Sequence, residues 1–316
     1  MGAGLRQMPR SIVFVIAIIA AASASAADIY LSPDGSDDAS GLSPNAPIAT
    51  LARAEIAVKQ ATAAEPRDVA IYFAPGRYTA LSAVWRYTMP AHSIRFIGAA
   101  DGASVLDGAQ RGLTFFTLRG STGAASNLSF ENLTITRYVT AISLNGDRED
   151  FARSNANNVI RNNRFLDIGG TGFPTLGRST AVVRLVNSDR NVVDGNTFRG
   201  MVAADCALLH AIYLAHNSSN NVISNNSFES GCGDPIRVRD ASHDNRIVAN
   251  TFINAGDRAA YSEWFCGPAR PCTKRGAECP SRGNAFQDND VRSGFGGKAL
   301  AATSVTAIAP HESCPR

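Results

Sequence analysis

The chain has 316 residues, of which 45% are hydrophobic and 18% are charged, and its formal net charge is +3. This composition is typical of a chain that folds around a core, and it excludes intrinsic disorder as the general state. The small net charge, without a strongly basic block, argues against a dedicated nucleic-acid-binding protein.

The first 27 residues have the three parts of a secretory signal peptide. Two arginines form a basic start, residues 12–22 are an apolar run, and residues 24–26 supply a small-x-small cleavage site. The apolar run is too short for a comfortable transmembrane helix. We therefore expect cleavage after Ala26 or Ala27, a secreted or periplasmic location, and no membrane association of the mature chain.

The segment that follows predicts a cap and then strands. Thr50 can cap a helix over about residues 50–64, whose apolar residues lie along one side. A solenoid needs such an element to cover its open hydrophobic end. Residues 68–78 then predict a strand, a Pro75-Gly76 turn and the start of a second strand.

A repeat of the form N-x-apolar-x-x-N-x-F occupies the second half of the chain. Its clearest copies are NVIRNNRF, NVVDGNTF, NVISNNSF and NRIVANTF, which begin at Asn158, Asn191, Asn221 and Asn245. Each copy follows a short β-rich run, and the distance between copies varies, which suits a solenoid whose loops differ in length. Coils of this kind predict a parallel β-helix with asparagines in its turns, where they bind the neighbouring coil. The residues expected to stack inside the tube are Phe165, Phe198, Phe228 and Phe252.

Residues 29–54, the PGRY turn and the Asn repeats resemble those of secreted right-handed parallel β-helix proteins of the pectate-lyase-like superfamily. The resemblance implies an all-β fold, a single-stranded right-handed parallel β-helix over residues 28–300, with a short N-terminal capping helix and a tail over residues 301–316. The superfamily includes polysaccharide lyases, glycoside hydrolases, uronate epimerases and proteins with no known activity. It therefore informs the fold more strongly than the activity.

Six cysteines, an even number, all lie after the midpoint of the chain, which in an oxidising compartment suggests disulfides. Cys206 and Cys232 occupy similar places in successive repeats, which predicts a bridge between neighbouring coils. The other four are expected to fasten a Cys-rich loop over about residues 257–283 and the C-terminal tail. Their pairing stays open at this stage, and no pair has a zinc-finger spacing.

Alignment of the coils predicts an exposed row of functional side chains. Counting back eight residues from successive repeat asparagines aligns Val183, Tyr213 and Arg237. Side chains alternate across a strand, so Tyr213 and Arg237 should share the outer face, with Arg239 two residues further on. His210 should lie at the start of its strand, at the edge of this face.

Two further regions affect the predicted outer face. Arg184 falls at a nominally inward position, which would require a bulge in its strand. The strand over residues 258–265 would add Tyr261 and Glu263 to the outer face, and the long insertion after it, with Lys274 near its middle, could fold over that face. The residues expected to contact a substrate are Asp234, Asp240, Tyr261, Glu263, Trp264 and Lys274.

These residue types suit a polysaccharide lyase acting on a uronate polymer. Elimination requires a base, an acid, and a cation that neutralises the uronate carboxylate as charge develops. We expect His210 and Tyr213 to act as base and acid, in either order, and Arg237 or Arg239 to bind the carboxylate. Lys274 is a fallback base, and the resemblance to lyases with basic side chains in that role keeps Arg237 as a further one.

Three alternatives stay open. A glycoside hydrolase would use two carboxyls among Asp234, Asp240 and Glu263, although Asp240 can equally hold a turn. A uronate C5-epimerase would use the proton chemistry of a lyase, and a non-catalytic β-helix would only bind polysaccharide. The expected partner is an acidic polysaccharide, the expected state is a monomer, and His216 and His243 are expected as exposed turn residues.

We expect no cofactor and no resident metal. Acidic β-helix turns can bind Ca²⁺, which makes Asp240 and Asp244 a candidate calcium site, although no ligand spacing requires one.

Overall fold

The computed structural model describes residues 27–170, 181–267 and 278–305, together with Met1 and Cys314. The proposed signal peptide and Lys274 lie outside these residues. Within them the chain forms one α-helix and many short β-strands. No helix in this part of the chain is long and apolar enough to cross a membrane.

Three parallel sheets run along the length of the molecule, and each coil contributes one strand to each sheet. Sheet 1 contains, in spatial order, β1 (Ala27–Leu31), β2 (Val69–Phe73), β5 (Ile94–Gly98), β8 (Leu128–Glu131), β12 (Val159–Arg161), β17 (Val192–Asp194), β21 (Val222–Ser224), β24 (Arg246–Val248) and β27 (Ala285–Gln287). Sheet 2 contains β3 (Gly76–Thr79), β6 (Ser104–Asp107), β9 (Thr134–Thr136), β13 (Arg164–Leu166), β18 (Thr197–Arg199), β22 (Ser227–Gly231), β25 (Thr251–Ala255) and β28 (Asp290–Val291).

Sheet 3 forms the remaining side of the tube. It contains β4 (Ala83–Trp85), β7 (Thr114–Leu118), β10 (Thr140–Asn145), β15 (Ala181–Val186), β20 (His210–Ala215), β23 (Ile236–Arg239), β26 (Ala259–Trp264) and β29 (Ala301–Val305). Two small sheets pair β11 (Asn155–Ala156) with β16 (Ser188–Asp189) and β14 (Gly169–Gly170) with β19 (Val202–Ala203). Single 3₁₀ turns cover Ala100–Gly102, Cys206–Leu208 and Phe295–Gly297. The predicted parallel β-helix is confirmed.

The helix α1 (Leu51–Thr62) covers the N-terminal end of the tube. The Thr50 side chain accepts a hydrogen bond from the backbone N–H of Arg53, which satisfies one of the free N–H groups of the first turn. The apolar side of α1 packs against β1 and β4, which are edge strands of sheets 1 and 3. Its buried residues include Leu51, Ala54 and Val58.

The interior contains the predicted phenylalanine stack. Phe165, Phe198, Phe228 and Phe252 are fully buried, with ring centroids 4.8, 5.0 and 4.8 Å apart between successive coils. This spacing matches the separation of neighbouring strands, about 4.8 Å, so each coil adds its ring to the stack of the preceding one.

Two asparagine ladders run beside this stack. In each rung, the side-chain oxygen of one asparagine accepts both the backbone N–H and the amide N–H of the asparagine one coil earlier. Asn196 Oδ1, for example, lies 2.9 Å from the backbone nitrogen and 3.0 Å from the Nδ2 atom of Asn163. The ladders contain Asn158, Asn191, Asn221, Asn245 and Asn284, and Asn163, Asn196, Asn226, Asn250 and Asn289.

The predicted bonding between coils is therefore confirmed, with one refinement. The left-handed backbone falls on residues that precede the ladder positions, such as Asn162 (φ 56) and Asn225 (φ 55), whereas ladder asparagines of the inner coils, such as Asn163 and Asn226, are buried. At turns such as these, one polar residue thus adopts the left-handed backbone, and the next binds the neighbouring coil.

Two disulfides lie within the described residues. Cys206 and Cys232, on neighbouring coils, are bonded with a Cα–Cα distance of 5.2 Å, as predicted. Cys279 and Cys314 are bonded with a Cα–Cα distance of 5.6 Å and hold the C-terminal tail to the end of the Cys-rich loop.

Candidate functional site

The outer face of sheet 3 carries a cavity where β20, β23 and β26 lie side by side. Tyr213 pairs with Arg237, and Ala215 with Arg239, so the predicted neighbourhood of Tyr213 and the two arginines is confirmed. The cavity, here called the Tyr213 pocket, has a volume of about 210 Å³. Its lining consists of Ala207, Leu208, His210, Tyr213, Arg237, Arg239 and Trp264.

His210 is held in one tautomer inside this pocket. Its Nδ1 atom lies 2.8 Å from the carbonyl oxygen of Asp234, and a carbonyl can only accept, so Nδ1 carries the proton and Nε2 keeps its lone pair. Burial, followed by the charge of Arg237, lowers the pKa of His210 to about 4. The imidazole is therefore neutral at physiological pH and can accept a proton at Nε2. Its ring stacks on that of Tyr213, with centroids 5.8 Å apart.

The Tyr213 hydroxyl is fixed by Arg239. The Nη1 atom of Arg239 donates to the phenol oxygen at 3.3 Å, and its Nε atom donates to Glu278 at 2.7 Å. The guanidinium lies 4.4 Å from the centre of the Trp264 ring, a cation–π contact that fixes its plane. Because Arg239 donates to the phenol oxygen, this bond leaves the hydroxyl proton of Tyr213 for another acceptor.

Arg237 is fixed by a buried carboxylate. Its Nη2 atom lies 3.0 Å from Asp234 and its Nε atom 2.7 Å from the hydroxyl of Ser262. Burial opposes ionisation of Asp234, but hydrogen bonds from the N–H groups of Arg258 and Ala259 outweigh it and lower the pKa of this carboxyl. Asp234 is thus an ionised partner for Arg237. Within the described part of the chain the third nitrogen, Nη1 of Arg237, makes no hydrogen bond and can bind an anion.

Tyr261 and Glu263 do not lie on the outer face, and this expectation is wrong. They pair with Ile236 and Val238, which point into the tube. Tyr261 is 2% exposed and hydrogen-bonds to the Glu263 carboxylate, and burial raises its pKa far above its usual range. The outward residues of β26 are Ser262 and Trp264. The long insertion lies between this strand and the repeat asparagine Asn284, so counting back from that asparagine does not give the face of a residue in β26.

Asp240 is also engaged away from the Tyr213 pocket. One carboxylate oxygen lies 2.7 Å from Nδ1 of His216, and the other accepts the N–H of Cys279 at 3.1 Å. His216, Asp240 and Glu278 offer atoms within 4.8 Å of one another, an arrangement compatible with a metal ion. Those atoms already bind protein groups, because Glu278 Oε2 accepts from Arg239 and from the N–H of Cys266.

A family model described as right-handed β-helix region matches residues 123–307, more than half of the chain. The chain belongs to this right-handed β-helix family. The predicted fold family is thereby confirmed. No curated protein sequence matches the chain.

Solved structures with a similar backbone include a rhamnogalacturonan lyase, with 15% identity and a TM-score of 0.48 over 89% of this chain and 63% of that one. A pectate lyase has 14% identity and a TM-score of 0.39 over 89% of this chain and 78% of that one. A mannuronic acid-specific polysaccharide family 6 lyase from human gut microbiota has 12% identity and a TM-score of 0.40 over 88% and 83%. The β-helix protein thus spans less than two thirds of the rhamnogalacturonan lyase.

Arg184 of this β-helix protein lies in the outward row beside Tyr213, where the sequence frame did not place it. It pairs with Tyr213, while Val183 pairs with Ile212 and points inward. No bulge is needed, because the connection from Val183 to Asn191 is one residue shorter than that from Ile212 to Asn221. An alignment that allowed for this shorter connection would have placed Arg184 on the outer face, beside Tyr213.

His216 was expected to be an exposed turn residue, and this expectation is wrong. It is 6% exposed, its Nδ1 atom bonds to Asp240, and its Nε2 atom accepts a hydrogen bond from Arg148. No repeat in the sequence indicates these bonds, because they join three separate loops of the β-helix.

Proposed function

We propose that this β-helix protein is a secreted polysaccharide lyase that cleaves a uronate-containing acidic polysaccharide by β-elimination. One observation carries the proposal. The Tyr213 pocket brings together an imidazole with a bare Nε2 atom, a phenol and a guanidinium, and its described lining contains no carboxylate.

Each group has a role in elimination. The uronate carboxylate binds Nη1 of Arg237, which stabilises the negative charge that develops when the neighbouring proton leaves. Nε2 of His210 takes the C5 proton, and the electrons of that bond form the C4–C5 double bond. The C4–O bond breaks, and its oxygen receives the hydroxyl proton of Tyr213. Arg239 orients Tyr213 through its hydrogen bond to the phenol oxygen.

The positions of the carboxyls favour elimination over hydrolysis. A glycoside hydrolase needs two carboxyls facing one bond, one of them protonated. Asp234 is ionised and paired with Arg237, Glu263 faces the interior, and Asp240 binds His216. None of the three is free to protonate a leaving group in the Tyr213 pocket.

The test is incubation of the mature protein with polygalacturonate, alginate and a glucuronan. Elimination produces an unsaturated sugar with ultraviolet absorbance, and its appearance with at least one polymer is the expected result. New reducing ends without absorbance would replace the proposal with hydrolysis. Deuterium uptake from heavy water without chain cleavage would replace it with epimerisation, and binding without either reaction would leave a binding protein.

A further inference from the structure

A second cavity lies on the same face of sheet 3, toward the N-terminal end. It has a volume of about 470 Å³ and is here called the Arg184 pocket. Its lining consists of Arg119, Gly120, Ser121, Asn145, Gly146, Asp147, Arg148, Glu149, Arg153, Arg184 and Val186.

Three arginines, Arg119, Arg148 and Arg184, line this cavity together. Burial, followed by the charges of Arg148 and Arg119, lowers the pKa of Arg184. Arg184 donates through Nε to the hydroxyl of Ser143 at 2.9 Å, and neither Arg184 nor Arg119 forms an ion pair with a described carboxylate. Like charges near one another are unfavourable, so an anion that binds Arg184 and Arg119 lowers the electrostatic energy of this lining.

The described acidic residues of the Arg184 pocket form no ion pair with Arg184 or Arg119. Asp147 accepts hydrogen bonds from the N–H groups of Glu149 and Asp150 and lies 3.9 Å from Arg153. Glu149 is exposed at the rim. Arg148 is bonded to His216.

The two pockets lie side by side along the sheet. Arg184 pairs with Tyr213, and Tyr213 with Arg237, so Arg184 and Arg237 are two coils apart. Two strand separations place their backbones about 10 Å from each other. One extended polymer lying across sheet 3 would contact both Arg184 and Arg237.

We propose that the Arg184 pocket binds a second carboxylate of the same acidic polysaccharide whose cleavage is proposed for the Tyr213 pocket. The inference rests on that proposed function for its substrate class. A guanidinium matches a carboxylate in charge and in the geometry of its two donors. The protein would therefore bind long uronate chains more tightly than short ones.

The experiment measures binding by calorimetry on the full chain, in the His210→Asn background so that the ligand is not consumed. The ligands are a uronate dimer and a uronate octamer of the polymer type that the elimination assay selects, or polygalacturonate fragments if that assay is negative. Arg184→Gln and the exposed Arg119→Gln are compared with Arg246→Gln. Arg246 is an equally charged, exposed residue of β24 in sheet 1.

We expect Arg184→Gln to weaken octamer binding about tenfold, the loss of one charged hydrogen bond, with a smaller effect for Arg119→Gln. Dimer binding and the Arg246→Gln variant should show no change. Equal losses in Arg184→Gln and Arg246→Gln would overturn the inference in favour of a general charge effect, as would octamer binding unaffected by both pocket variants. Absence of octamer binding to the parent would also overturn it, whereas the proposed function is decided separately by the elimination assay.

Discussion

The two sides of the tube use the same backbone period in opposite ways. Along the asparagine ladders each coil repeats the same side chain, and each side chain is bound by its copy in the next coil. Along the outer face of sheet 3, Arg184, Tyr213 and Arg237 occupy one row in three successive coils, and no two neighbours are alike. Repetition therefore marks positions that stabilise the fold, and the non-repeating row on the outer face is where we propose that the ligand binds.

The largest expected effect is a loss of elimination activity when a residue on the outer face of sheet 3 is replaced. His210→Asn keeps an N–H donor for the carbonyl of Asp234 but removes the basic nitrogen, so elimination should slow about 10²- to 10⁴-fold. Initial rates by ultraviolet absorbance check this, with His243→Asn as the matched control. Unchanged rates in His210→Asn would show that the non-repeating face is not the catalytic one.

The next effect is expected in stability and not in catalysis. Asn196→Ala removes the acceptor for two N–H groups of Asn163 and the donor for the carbonyl of Ile160. Buried groups left without partners should lower the free energy of unfolding by about 1–3 kcal/mol, measured by denaturant titration. Thr197→Ala, on the adjacent half-buried position, is the control. A stable Asn196→Ala protein with lower kcat would reverse the assignment of the two sides.

A third effect concerns acid stability. The folded-state pKa of His210, about 4, lies below its usual value of 6.5. Between these two pH values the unfolded chain binds more protons than the folded chain. The contribution of neutral His210 to the free energy of unfolding is therefore complete above pH 6.5 and is lost as the pH falls toward 4. Lowering the pH from 7 to 5 should cost the parent on the order of 1–2 kcal/mol more than His210→Asn. Identical pH profiles of Tm would contradict burial of a neutral imidazole.

The smallest effect should come from Trp264. Replacing it with leucine removes the cation–π contact with Arg239, about 0.5–1 kcal/mol at a partly exposed site. The KM of elimination should rise two- to fivefold, while Trp264→Tyr should retain most of the affinity. A larger loss of kcat than of affinity would place Trp264 closer to the reacting atoms.

The sequence was sufficient for the fold because the repeated Asn and Phe positions bind their own copies, so one coil predicts the next. The same frame placed Tyr213 beside Arg237. It misplaced Arg184, because a one-residue difference in a turn reverses the face of every residue in a strand. It misplaced Tyr261 and Glu263 for a related reason, since an insertion separates their strand from Asn284, the repeat asparagine from which positions would be counted. The bonds of His216 join loops far apart in sequence, and no local pattern encodes them.

The ladders also fix the spacing between the two pockets as a whole number of strand separations. Since every rung binds the next in the same way, a whole coil inserted between β15 and β20 would leave the coils on either side bonded as before. The distance between Arg184 and Arg237 can then change only in steps of one strand separation, about 4.8 Å. Such an insertion would move Arg184 away from the Tyr213 pocket and leave the residues that line the Tyr213 pocket in place.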